Sequence, residues 1–485
     1  MNDLAEKALH AIVVARNHVS GRPVLMLSIG GFVASGTVVF AGGRIGAAPA
    51  ALPLTSWFGL LAHAGYTVTN LIPGLLMIAG IAALAALWLV ALSLARTLGE
   101  RGVWTIATVW AVPFVIGPPL LSTDVYSYAA HGLLARAGLS PYHHAPSALA
   151  GQAIVNAIDP NWRSTPSTGG PLSTAIEHLL VEVSAGNPLG AVLLLRALAV
   201  VCAVAIGRLA ADLAGRRRAA EAVAITALNP AMLLYVVSGA HFEGLFVALL
   251  LGALVRAGQR RWILAIVLAC AAAGVKPIGL IAVVAILATH AIGHRPHIAW
   301  RTAARELALA VGALAVCALV VPYGLGWVGN LGSVTHERTR FAPANLVSDA
   351  ISPIVPGASF DDLAAGGRVA TVLAAVTAVC YLFVTMRNRP LDRTVGFALL
   401  AVGVLGPVLY PWFLLWGLPC IAATARRVWR DWVVALSVAA CVLTPAGFAT
   451  RTGTLVTGVG LAVVAAALAA RLLARRRAES ALAAR

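Results

Sequence analysis

The sequence predicts an all-α polytopic membrane protein, and three observations carry that prediction. Of the 485 residues, 60% are hydrophobic and only 11% are charged. The mean hydropathy is +0.89, far too apolar for a chain that must cover a water-soluble surface. Apolar runs of about twenty residues, long enough to cross the hydrocarbon as a helix, recur from one end to the other. Hydrocarbon offers no partner to a backbone N–H or C=O, so such runs must bond within themselves as helices.

Fourteen spans fit the sequence, near 22–42, 70–95, 103–121, 188–210, 218–236, 240–255, 261–274, 277–293, 306–322, 367–386, 394–409, 411–425, 431–448 and 453–474. Together 22–474 read as a single transmembrane domain. Residues 1–21 read as a cytosolic amphipathic segment, not a cleaved leader, since no small-residue site follows a short apolar core. Residues 475–485 read as a basic cytosolic tail. The runs at 261–274 and 411–425 are short enough for broken or re-entrant helices.

Charge sets the orientation. Basic residues concentrate in cytoplasmic loops. With the N-terminus inside, the inner side holds 26 of the 35 basic and 9 of the 18 acidic residues, and the outer side nine of each. The whole net charge of +17 then lies inside, where it meets an anionic leaflet. This explains the basicity without nucleic acid, for which no motif is present. Both termini are expected in the cytoplasm of a cell-membrane protein.

Three outer segments are long: 43–69, 122–187 and 323–366. In the second, DVYSYAAHGLLARAG has helical spacing, with Val125, Ala129, Leu133 and Ala137 near one face. It reads as an amphipathic helix at the outer interface, and PLSTAIEHLLVEV reads as another. There is no GxxxxGK loop, no GxGxxG after a strand and no DxD-like carboxylate pair. These absences argue against an ATP-driven pump and a nucleotide-sugar enzyme. The six cysteines fall inside apolar runs without metal or redox spacing, as small core residues do. No metal or other cofactor is expected.

Chemistry is concentrated at the outer ends of the spans. Asp124 follows the third run, where an acid is costly unless it faces a polar cavity. It suits a general base taking a proton from a hydroxyl; a helix cap is the alternative. His241 and Glu243 stand in SGAHFEGLF. His241 suits a phosphate or a sugar hydroxyl, and Glu243 suits a sugar or His241 itself. A direct pair between them needs an irregular turn, because residues two apart on a helix do not share a face. Lys276, one of only two lysines, stands in AGVKPIGL and suits a lipid phosphate; an interface lysine that snorkels is the alternative. Arg338 and Arg340, with His336, offer planar forks for a phosphate. Tyr126, Tyr142 and Trp162 are candidates for sugar contact. Tyr410, Trp412 and Trp416 in LYPWFLLW read more simply as an interface belt. His143 and His144 lack a third ligand.

Asp124, His241, Glu243, Lys276 and Arg338 are far apart in sequence but share one membrane boundary in this topology. A base, a phosphate-binding cation and a carboxylate–histidine set are what sugar transfer from a polyprenyl phosphate needs. A transporter or flippase would place polar groups at the bilayer midplane, and a scaffold would not gather them at one depth.

STDVYSYAAHG, the SPY at Ser140–Tyr142, SGAHFEG, VKPIGL and LYPWFLLW, in that order, resemble the actinobacterial polyprenol-phosphate-mannose-dependent α-1,6-mannosyltransferases, integral membrane enzymes of the GT-C class. The resemblance runs from about the second span to the last. It implies a GT-C fold, Asp124 as base and a β-linked polyprenyl phosphomannose donor. It also implies inverting transfer at the outer face and an α-1,6 product in a lipomannan-type mannan. In that family an Asn often follows the histidine; here Phe242 fills that place and Glu243 is retained. Related GT-C enzymes transfer arabinose or glucose, and spacing does not separate them.

Overall fold

The structure is a computed structural model that describes residues 2–43, 71–292, 296–332, 339, 341–355, 357, 359–424 and 427–442. The expected span 453–474, the basic tail 475–485 and residues 44–69 of the first outer loop lie outside them. All the secondary structure described is helical.

The first two helices are α1 (Asn2–Gly42) and α2 (Leu71–Ile116). α2 breaks at Gly99, whose φ of 68° and ψ of 170° reverse the chain; a residue without a Cβ adopts this without strain. The packing shows the reversal. Along α1, Gly30 meets Leu87 and Val38 meets Gly80, so the first arm runs antiparallel to it. Val24 meets Gly102, Gly31 meets Trp110 and Val39 meets Gly117, so the second arm runs parallel. These two arms are helical where the runs 70–95 and 103–121 were expected. Their buried indoles are satisfied across the bundle: Trp110 donates to the Leu27 carbonyl at 2.8 Å and Trp88 to that of Ala224 at 2.6 Å.

α3 (Asp124–Arg136) and α4 (Pro171–Val183) fill the second outer segment, followed by α5 (Pro188–Ala214). Ten residues of α3 are buried. Instead of lying on the interface with a wet face, as the sequence suggested, α3 packs against α4 and α5. At Gly132 the backbones come so close that a Cβ would sit 2.4 Å from the Glu177 carbonyl oxygen.

After α5 the chain folds through Ala219–Ile225 into a π-helix at Met232–Ser238, then bends by 110° into α6 (Glu243–Gly258). Then come α7 (Trp262–Val275), α8 (Leu280–Ile292), α9 (Pro296–Leu319), α10 (Phe360–Val384) and α11 (Leu391–Leu405). The run 411–425 is a 3-10 turn, Pro411–Trp416, leading into α12 (Leu418–Thr424); α13 (Arg427–Val442) closes the described chain. Five described helical stretches are long and apolar enough to cross a membrane: Gly21–Gly42, Ile72–Ile116, Pro188–Ala214, Trp300–Leu319 and Phe360–Val384. The bent pair Met232–Ser238 with Glu243–Gly258 makes a sixth as a broken span. Cys202, Cys270, Cys420 and Cys441 are buried, Cys317 is half-buried, and Cys380, expected in the core, is exposed.

Charged contacts tie both ends of the bundle. At the Gly99 end, Glu221 takes Arg96 at 2.7 Å and Arg430 at 2.9 Å, and Arg208 reaches Glu100 at 3.3 Å. Toward the opposite end, Arg196 of α5 is buried. Its guanidinium donates to the carbonyls of Phe114 at 3.0 Å, Val115 at 3.3 Å, Gly117, and Ser238 at 2.8 Å. One cation thus ties the end of α2, shortly before Asp124, to the segment just before His241.

Candidate active site

A cavity of about 420 Å³ lies at this second end. α3 forms one wall. Asp124, Tyr128 and His131 recur at i, i+4 and i+7, so all three line the cavity from one helical face. Ser173 and Glu177 of α4 line it too, spaced i and i+4. Lys276 and the aromatic residues of 410–416 complete the enclosure.

Asp124 opens α3, where the helix dipole favours a carboxylate. The residues before it are fixed: the Asp124 amide donates to Ser122 Oγ at 3.1 Å. Thr123 Oγ1 accepts from the Asp159 amide at 3.1 Å, and Asp159 in turn caps the turn Pro160–Arg163 that carries Trp162. One hydroxyl therefore couples the acid to the Trp162 turn. Leu121, with φ of 63°, and Ala240, with φ of 51°, hold left-handed backbone just before Asp124 and His241. Non-glycine residues hold that conformation only where their surroundings over-determine it.

His241 sits in the 110° bend, wholly buried, with Nε2 3.4 Å from Asp124 Oδ2. Its Nδ1 lies 2.6 Å from the Tyr235 carbonyl, which can only accept, so Nδ1 carries a hydrogen. Nε2 then faces a carboxylate, and a proton between them makes the contact favourable. The ring is stacked on Trp412 at 4.3 Å, and Tyr410 stacks on Trp412 at 4.7 Å. Burial alone would raise the Asp124 carboxyl. The close His241 imidazole, with smaller contributions from Ser122 and Lys276, outweighs it and holds Asp124 below the ordinary carboxylate value. Asp124 is therefore ionised above that lowered value and loses its charge only as pH falls through it. His241→Gln is expected to let burial prevail and to move the acid limb of kcat/KM to higher pH; a pH–rate profile of both proteins checks it.

Glu243, fully buried, does not pair with His241. Its Oε1 is 2.9 Å from Lys276 Nζ. The irregular turn that a His241–Glu243 pair required is present, but it sends the two side chains to different partners. Lys276 ends α7 in extended conformation before Pro277, which cannot continue the α7 hydrogen bonds. Its Nζ lies 5.9 Å from the Trp416 ring centroid. The strand of chain before it is fixed by Gly170, whose amide donates to the Val275 carbonyl at 3.0 Å. A Cβ at Gly170 would lie 2.2 Å from the Gly274 carbonyl oxygen. Gly170→Ala is expected to displace Lys276 and reduce turnover about tenfold or more, since misplacements of about 1 Å reach 10²-fold; turnover of the purified variant checks it.

Asp124, Lys276 and Trp162 line the cavity; His241 and Glu243 stand directly behind the first two. Tyr126 and Tyr142 are not among the lining residues. Tyr142 is buried, accepts from Thr174 Oγ1 at 3.0 Å, and its carbonyl accepts from Asn330 at 2.9 Å, an organiser of the loops. Arg338 and Arg340 lie outside the described residues; Thr339 between them is buried and its hydroxyl accepts from the Leu409 amide at 2.8 Å. The aromatic run expected as an interface belt turns inward: Tyr410, Trp412, Phe413 and Trp416 line the cavity. Tyr128, His131 and Glu177 were missed, although their spacing from Asp124 and Ser173 was readable. Among the described residues no three His, Cys, Asp or Glu side chains converge as a metal site requires.

Comparison with known proteins gives the family. Residues 28–292 match a family model described as alpha-(1->6)-mannopyranosyltransferase, N-terminal domain, and residues 363–473 match one described as MptB C-terminal domain. The chain is 26% identical to alpha-(1->6)-mannopyranosyltransferase B of Corynebacterium glutamicum over 71% of this chain and 63% of that protein. It is 27% identical to an alpha-(1->6)-mannopyranosyltransferase of Mycobacterium tuberculosis over 66% of this chain and 64% of that protein. It is 30% identical to the A enzyme of the same species over 66% of this chain and 65% of that one. The matches thus span less than two thirds of each relative's length. No solved structure matches.

Proposed function

The chain belongs to the alpha-(1->6)-mannopyranosyltransferase family, and from that premise we propose that it is a GT-C glycosyltransferase of the cell membrane, with about fourteen spans. It takes mannose from polyprenyl phosphomannose and adds it in α-1,6 linkage to a mannan or lipoglycan acceptor. The observation that carries this reading is a single cavity with Asp124 and Lys276 on its wall.

The acceptor hydroxyl is placed at Asp124, which receives its proton as the oxygen attacks the anomeric carbon. The bond from that carbon to the phosphate oxygen breaks with inversion, and polyprenyl phosphate leaves with the electron pair. Lys276 meets the charge that grows on the leaving phosphate. Arg338 and Arg340, which flank the buried Thr339, help to neutralise that charge, and the reaction proceeds without a metal. Trp162 and the aromatic wall stack on sugar rings, with Tyr126 and Tyr142 shaping the acceptor side. His241 keeps Asp124 ionised, and Glu243 positions Lys276. Both termini are cytoplasmic and the cavity faces outside, in reach of the donor's lipid.

Membranes containing the protein are to be given radiolabelled polyprenyl phosphomannose, phosphoarabinose or phosphoglucose and an α-mannoside acceptor. Transfer from the mannose donor alone, with an α-1,6 product, is the expected result. Transfer only from arabinose or glucose would keep the mechanism and discard mannose. No transfer from any of them would sink the enzyme reading.

A further inference from the structure

The cavity holds a second acid–histidine pair that the transfer step does not use. His131 of α3 and Glu177 of α4 both line it, and both are more than nine-tenths buried, at 8% and 2% exposure. His131 Nδ1 lies 3.6 Å from Glu177 Oε2, and neither atom has a hydrogen-bond partner among the described residues. A buried carboxylate oxygen and imidazole nitrogen left without hydrogen bonds are costly, and a cavity wall that carries them points to a ligand. With Nδ1 turned to Glu177, Nε2 is the ring nitrogen left for a ligand.

We propose that His131, oriented by Glu177, is the subsite that binds hydroxyls of the acceptor sugar; this rests on the transferase reading above. Two arguments select the acceptor. First, Asp124 and His131 share one face of α3, two turns or about 10 Å apart. A sugar whose attacking hydroxyl meets Asp124 extends its remaining hydroxyls along that face toward His131. Second, Glu177 adds negative charge at this end. That repels the donor's phosphate, whose place is at Lys276, and leaves the pair to an uncharged partner. Asp124, Tyr128 and Glu177 are the ionisable groups around His131 on the described cavity wall of α3 and α4.

The test compares His131→Ala, His131→Gln and Glu177→Gln with the wild type. Acceptor and donor are varied separately in the transfer assay, and binding of the α-mannoside alone is followed by tryptophan fluorescence. Loss of a buried hydrogen bond should raise the acceptor KM and weaken mannoside binding about tenfold in His131→Ala. Donor KM should stay unchanged and kcat should fall only a few-fold. His131→Gln, which keeps an acceptor oxygen, should recover part of the loss, and Glu177→Gln should shift acceptor KM the same way. Thermal midpoints in detergent identify variants that merely unfold; Glu177→Gln is isosteric and carries the test in that event. A collapse of kcat at unchanged acceptor KM would overturn the proposal and put the pair in the chemical step. Unchanged acceptor KM and mannoside binding would reduce it to packing. A wild type that transfers nothing defeats the transferase reading, and the mannoside titration still decides the subsite.

Discussion

Asp124→Asn is expected to lower kcat by about 10²–10⁴-fold, the usual worth of a positioned general base. The change is isosteric; it removes the negative charge and with it the ability to take a proton. The side chain is 27% exposed to the cavity, so the variant loses little packing and should express and melt like the wild type. His241 loses its carboxylate but keeps the Tyr235 carbonyl and the Trp412 face, which hold the ring in place. Donor and acceptor KM should therefore change little. Initial rates in membranes of matched expression are the measurement. Full activity in Asp124→Asn would remove this residue from the base role.

Lys276→Met should fail for two separable reasons. Glu243 is fully buried, and Lys276 lies 2.9 Å from it. Removing one partner of a buried pair strands the other charge, at a cost of about 3–5 kcal/mol. The variant should express poorly or melt early. Adding Glu243→Gln neutralises the stranded acid and should restore the melting temperature. Transfer should nonetheless stay about 10²–10³-fold below wild type, the scale of losing one preorganised charge-stabilising group. Melting curves and rates of both single variants and the double one separate the effects. A double variant with normal turnover would make Lys276 a structural residue.

How much of this was legible depends on the distance over which each feature is decided. The apolar runs at 22–42 and 188–210 and the arms flanking Gly99 are local patterns, and they reappear as helices. Asp124, His241, Glu243 and Lys276 were gathered by topology, and the structure brings them together. Their pairing was not legible. Whether His241 meets Glu243 or Asp124 is settled by a 110° bend and by helices far apart in the chain, and no periodicity encodes that. α3 shows a different kind of miss. Its apolar face through Val125 and Ala129 is real, but the helix is buried on several sides, so the informative stripe was the polar one through Asp124, Tyr128 and His131. The aromatics at 410–416 have the composition of an interface belt, and only the 3-10 turn shows that they line a cavity.

Arg196 gives the site a mechanical character. The Asp124–His241 contact, at 3.4 Å, is too long to hold two segments in register by itself. The guanidinium does so instead, reaching carbonyls on both sides from a third helix. A planar fork with several donors accepts little bending at any one bond. The acid and the histidine are therefore set before any sugar arrives, and no free energy from the substrate goes into assembling them. The reacting partners meet a rigid jig, its acid and histidine already in register.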